Sequence, residues 1–159
     1  MLSGVGLVTA LGWLHVSAAA LALVTGALVF AARKGTRRHV LLGRAYGLGM
    51  LLVNLPALLL HEESGTLGPF HLLAVISLAT LALGLAPLLL GYRGSGHIAR
   101  HGRFMAWSYV GLVAAGLAQV GHGSYGGVAV LIVSSVVVAV GGVTIHLHGS
   151  RIARAAANR

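Results

Sequence analysis

Apolar residues in this chain come in long runs. They do not alternate as in a half-buried strand, and they do not form the single stripe of a water-soluble helix. Five runs stand out: Val8–Ala32, Val40–Leu60, Pro69–Gly91, Arg103–Gly121 and Gly127–His148. Each has roughly 19–25 residues, enough at ~1.5 Å per residue to cross ~30 Å of hydrocarbon. Within lipid the backbone must close its own hydrogen bonds, and without alternation that element is a helix rather than a barrel strand. The pattern therefore predicts an all-α integral membrane protein, one domain over residues 1–159, with five transmembrane helices joined by short polar links. Met1-Leu2-Ser3-Gly4 carries no basic residue ahead of the first run, so that run reads as a span rather than a cleaved signal.

Composition supports the same class. Hydrophobic residues make up 57% of the chain and charged residues only 8%, against roughly 25% charged in a soluble domain. An ordinary soluble fold and a disordered chain are both excluded. The net charge is +9, from eleven basic and two acidic residues. The basic residues sit between the runs, not in a stripe with interleaved aromatics, so the partner they suggest is the bilayer and not nucleic acid. Arg33, Lys34, Arg37, Arg38 and Arg44 flank the first link; Arg93, Arg100 and Arg103 flank the third; Arg151, Arg154 and Arg159 form the tail. The second link holds both acids, Glu62 and Glu63, and the fourth (121–125) holds no charge. The positive-inside rule then predicts the N-terminus outside and the C-terminus cytoplasmic, in a plasma (inner) membrane.

The first four runs read as two similar hairpins that build a four-helix core, with the fifth helix added. His39 opens the second run and His101 the fourth, each after an arginine; His61 and His122 close the same two runs. The separations are 22 and 21 residues, about 40° and 60° from whole helical turns. Each even span therefore carries its two histidines on roughly one face, ~32 Å apart. His15 and His71 lie in the outer parts of the odd spans. Tyr46 and Tyr109 follow His39 and His101 by seven and eight residues, and Asn54 and Gln119 lie late in the even spans. The face below His39 continues through Gly43, Tyr46, Gly47, Met50 and Asn54. It is small and polar and should point into the bundle.

The chain has no cysteine. Disulfides, iron–sulfur clusters, thiolate metal sites and covalent haem attachment are excluded. Both carboxylates lie outside the spans, which argues against a proton pump and against hydrolytic acid–base catalysis. No hydrolase, zincin or nucleotide motif occurs. Nine histidines remain, in an outer layer (His15, His61, His71, His122) and an inner layer (His39 and His101, with His97, His146 and His148 nearby). Two such layers suit a membrane cytochrome, with haem b clamped by His15 with His71 or by His39 with His101. Arg44 and Arg103 would hold the propionates, and Tyr46 and Tyr109 would donate a hydrogen bond. A quinone or another redox partner would follow. The alternatives are a Zn, Cu or Fe site among His15, His39, His61, His71, His101 and His122, and an accessory subunit with structural histidines. Simpler roles compete at each position: interfacial contact for the edge histidines, interhelical hydrogen bonds for His15 and His71, snorkelling for Arg44 and Arg103. Small-residue faces make a homodimer a further expectation.

His39-x3-Gly43-Arg44-x-Tyr46 and His101-x3-Met105-x2-Ser108-Tyr109, each at the head of an even span, resemble the signature of the predicted membrane proteins grouped as domain of unknown function 2306. His15 and His71 fit the same pattern, and the resemblance covers roughly residues 10–122. It implies the architecture and the choice of histidines. A more distant likeness of layout is to diheme b-type membrane cytochromes, in which paired histidines lie closer on one helix than the 21 and 22 residues found here.

Overall fold

The computed structural model describes the backbone of residues 4–59, 69–92 and 94–157, and the side chains of 9–59, 71–92, 94–119, 128 and 131–149. There are four helical elements, α1 (Gly4–Ala31), α2 (Arg37–Leu59), α3 (Pro69–Leu89) and α4 (Ser95–Ala157), and no strand among the described residues. The chain forms two compact units, Met1–Leu78 and Ala79–Arg159. The boundary falls within α3.

In the first unit, α1 and α2 pack against each other. The turn between them is built by local chemistry. Gly35 takes a left-handed conformation, φ +80°, which costs glycine little. Thr36 then starts α2. Its carbonyl accepts from Val40 N–H at 3.1 Å, and its hydroxyl accepts from His39 N–H at 3.3 Å, the arrangement of a helix N-cap. At the other side of the turn, the Lys34 ammonium donates to the last carbonyls of α1, Val29 at 2.9 Å and Phe30 at 3.2 Å. Close approach of the two helices needs small residues. A Cβ on Gly49 would meet the Ala22 Cβ at 3.1 Å.

In the second unit, α3 ends in a Schellman motif around Gly91, φ +76°. Tyr92 N–H donates to the Pro87 carbonyl at 2.8 Å and Gly91 N–H to Leu88 at 3.2 Å, which satisfies carbonyls the helix end would strand. The following α4 has 63 residues, ~95 Å if it were straight. It is not straight. Ser134 Oγ donates to the Ala114 carbonyl at 3.4 Å. A Cβ on Gly141 would stand 2.5 Å from Val110 Cγ2, and one on Gly142 would stand 2.9 Å from the Trp107 ring. These pairs run in antiparallel register, so α4 doubles back between residues 114 and 134.

The expected link falls at 121–127. Helical turns occupy it, and the antiparallel pairs on either side reverse the chain across it, as the expected link requires. The helices begin earlier than the runs suggested: α2 starts two residues before His39 and α4 six before His101.

Among the described residues, four stretches are long and apolar enough to cross a membrane: Thr9–Ala31, Arg37–Leu59, His71–Leu89 and Leu131–Gly149. The expected span at 103–121 runs past Gln119, where the described side chains of this part of α4 stop. Large apolar side chains face outward on every helix, Trp13 (69% exposed), Leu41 (69%), Leu89 (82%) and Val128 (74%) among them. Water would not tolerate such a surface; lipid does.

Candidate histidine sites

Two histidines on different helices make the same contact. His15 on α1 donates from Nδ1 to the Val53 carbonyl on α2 at 2.9 Å. His101 on α4 donates from Nδ1 to the Gly84 carbonyl on α3 at 2.8 Å. A carbonyl only accepts, so Nδ1 carries a proton in both rings. In the neutral ring Nε2 is then the lone-pair nitrogen.

The accepting carbonyls share a sequence context. Val53 lies three residues before Pro56, and Gly84 lies three before Pro87, each proline inside its helix. Proline has no N–H to pair with the carbonyl four residues back, Leu52 and Leu83 here, and its ring crowds that turn. Val53 and Gly84 are the next residues in those same turns. In each unit the neighbouring helix supplies an imidazole.

His39 and His71 form the second matched pair. Each is the third residue of its helix, and each has a buried ring nitrogen that makes no hydrogen bond, Nδ1 of His39 and Nε2 of His71. Both residues have other partners. His71 is only 5% exposed. By environment, then, His15 matches His101 and His39 matches His71. The duplicated-hairpin reading matches His15 with His71 and His39 with His101.

The small polar face of α2 is turned inward as expected. Tyr46, Met50 and Asn54 are buried together with Gly47 and Gly49, and Gly43 is half-buried. Asn54 Nδ2 donates to the Met50 carbonyl at 2.7 Å, so its amide is partly satisfied within its own helix. The expected counterpart in α4 differs. Gln119 is exposed; the buried polar side chain there is Ser108, which donates to the Met105 carbonyl at 3.1 Å. Tyr109 is half-buried, and Arg44 and Arg103 are exposed.

The remaining histidines lie apart from these contacts. His97 stacks on Tyr92, ring centroids 4.8 Å apart. His148 donates from Nδ1 to the Thr144 carbonyl at 3.0 Å on its own exposed helix, and His146 is exposed. His61 and the side chain of His122 lie outside the described residues. Among the described residues no three of His, Cys, Asp or Glu gather as a metal site would require.

Reading the residues alone misses Pro56, Pro87 and the two carbonyls. A signal was present: the prolines fall 17 residues after His39 and 16 after His71, inside apolar runs.

No curated protein and no solved structure matches the chain. The family described as Predicted membrane protein (DUF2306) matches residues 12–148, a stretch that holds all four histidines above and both prolines. Long apolar helices with lipid-suited exteriors and a match over most of its length make this chain a member of the DUF2306 family of predicted membrane proteins.

Proposed function

We propose that this protein binds haem b through paired histidines and passes electrons within the plasma (inner) membrane. The observation that supports this most is the Nδ1–H···O=C bond made by both His15 and His101. Histidines that ligate metals typically donate the other ring N–H to a backbone carbonyl or carboxylate, which fixes the ring and its tautomer and raises the basicity of the ligating nitrogen. Both imidazoles carry that orienting bond. His71 and His39 are the partners of the two proposed ligand pairs, His15 with His71 and His39 with His101.

The donor set fits haem better than a closed metal site. A haem iron takes two axial imidazoles, whereas structural Zn²⁺ takes four protein ligands, and no three candidate ligands gather among the described residues. Bound haem would supply one-electron chemistry. The protein's own residues would orient the imidazoles through Val53 and Gly84 and exclude water with apolar helix faces. Arg44 and Arg103, exposed near the inner histidines, would pair with propionates, and Tyr46 and Tyr109 would add hydrogen bonds. A quinone or a protein redox partner would exchange the electron.

In this reading the chain crosses the bilayer five times. The two antiparallel halves of α4 are the fourth and fifth spans, the N-terminus is outside and the arginine-rich C-terminus is cytoplasmic. The lipid-facing small residues would permit a homodimer.

The test is the visible spectrum of detergent-purified protein made with haem available, before and after dithionite. A Soret band with sharp reduced α and β bands, lost in His15→Ala or His101→Ala, is expected. A colourless protein with stoichiometric Zn, Cu or Fe would replace haem by a metal site. A colourless, metal-free protein would leave the histidines structural, in an accessory subunit.

A further inference from the structure

The link between α1 and α2 carries an open depression of about 490 Å³ lined by Ala31, Ala32, Arg33, Thr36, Arg37 and Arg38. Three of its six lining residues are arginines, and all three are exposed. The fourth basic residue of the link, Lys34, is committed elsewhere: its ammonium caps α1 through Val29 and Phe30 and lies 5.4 Å from the Phe30 ring centroid.

No acidic side chain lies among the described residues. The two acidic residues of the sequence, Glu62 and Glu63, come after Leu59, the far end of α2, a helix whose 23 residues span ~35 Å. Arginine stays charged at any physiological pH, and its planar fork matches phosphate oxygens two at a time. The Thr36 hydroxyl is not a spare donor. It donates to the Arg33 carbonyl at 2.7 Å and thereby ties Arg33 to the start of α2. The depression is thus bordered by three arginines beside the first turn of a helix, whose dipole also favours an anion.

Depth selects the anion. The apolar stretches Thr9–Ala31 and Arg37–Leu59 both end at this depression, so its arginines stand at the level of lipid headgroups. Arginines that merely snorkel need no shared depression. We infer that Arg33, Arg37 and Arg38 form a binding site for the phosphate of one anionic phospholipid, entered from the bilayer. This inference does not depend on the haem proposal.

The test compares the wild-type chain with R33Q/R37Q/R38Q and with a charge-matched control, R151Q/R154Q/R159Q. Each is purified in neutral detergent and titrated with phosphatidylglycerol or phosphatidylcholine, with retained lipid counted by native mass spectrometry. The wild type should hold one phosphatidylglycerol about tenfold or more tighter than phosphatidylcholine. The R33Q/R37Q/R38Q variant should lose that preference, and the control should keep it. Equal weakening in both triple variants would overturn the site in favour of diffuse charge. Displacement of the lipid by millimolar inorganic phosphate would overturn the lipid assignment in favour of free phosphate. Far-UV circular dichroism checks that the triple variant folds. Should it not, R37Q alone must show a severalfold loss for the inference to stand.

Discussion

Removing His101 takes away more than one hydrogen bond. The Nδ1–H that reaches the Gly84 carbonyl at 2.8 Å is worth about 1 kcal/mol net in a typical protein setting, and interhelical bonds in membranes average ~0.6 with a ceiling near 1.7 kcal/mol. His101→Ala also leaves the buried Gly84 carbonyl without its side-chain donor in the turn that Pro87 crowds, a penalty of about 1–3 kcal/mol for a buried group. A total near 2 kcal/mol follows. Pro87→Ala changes that arithmetic. Alanine restores an N–H at 87 for the Leu83 carbonyl and removes the crowding ring, so the turn can close and the Leu88 N–H can serve the Gly84 carbonyl fully. In that background His101→Ala should cost about 1 kcal/mol less. The double-mutant cycle should therefore show a coupling of about 1 kcal/mol, above the ~0.3–0.5 kcal/mol scatter of independent sites. His15 with Pro56 should behave alike, since its bond to Val53 is 2.9 Å. The assay is reversible unfolding in mixed micelles against the fraction of denaturing detergent, followed by far-UV circular dichroism. Additive losses in both cycles would refute the claim that the prolines expose these acceptors to the histidines.

Two glycines on α4 should respond oppositely to the same change. Gly141→Ala gains about 0.5–1 kcal/mol of helix propensity but places a methyl 2.5 and 2.7 Å from the γ carbons of Val110. Val110 is β-branched and stiff, so overpacking of about 1–3 kcal/mol should prevail. Gly111→Ala meets nothing within 4 Å and should stabilise by up to about 1 kcal/mol; the same sign for both in the micelle assay would count against the fold-back of α4. Lys34, outside the spans, has its pKa lowered from the usual 10.5 by desolvation. The folded state then releases its proton first, so stability rises with pH between the folded pKa and 10.5, and the burial penalty on the ammonium is present below that window. The effect is small because the side chain is largely exposed; an NMR titration of Lys34 with a midpoint at or above 10.5 would contradict it.

The helices were legible because their signals are local. An unbroken apolar run names a span, and the period of 3.6 put Tyr46, Met50 and Asn54 on one face before any packing was known; all three are buried. The helical turns at 121–127 were not legible, because glycine and serine there carry turn preferences measured in water. Equivalence among the histidines was harder still. It rests on which carbonyl each ring reaches, and a carbonyl has no letter in the sequence. Proline is the exception, since it marks the turn where a carbonyl is left open.

In water a proline within an apolar run most often ends the helix. In lipid the helix continues, and the opened carbonyl must be met by a neighbour. The antiparallel register of a hairpin then specifies which neighbour. The midpoint between His15 and Val53 is residue 34, within the link from α1 to α2, and the midpoint between Gly84 and His101 falls between 92 and 93, within the link from α3 to α4. Reflecting Val53 through the centre of its link, residue 34, lands on His15, and reflecting Gly84 through residue 92 lands one residue short of His101. Each histidine is thus held close to the turn that a proline distorts.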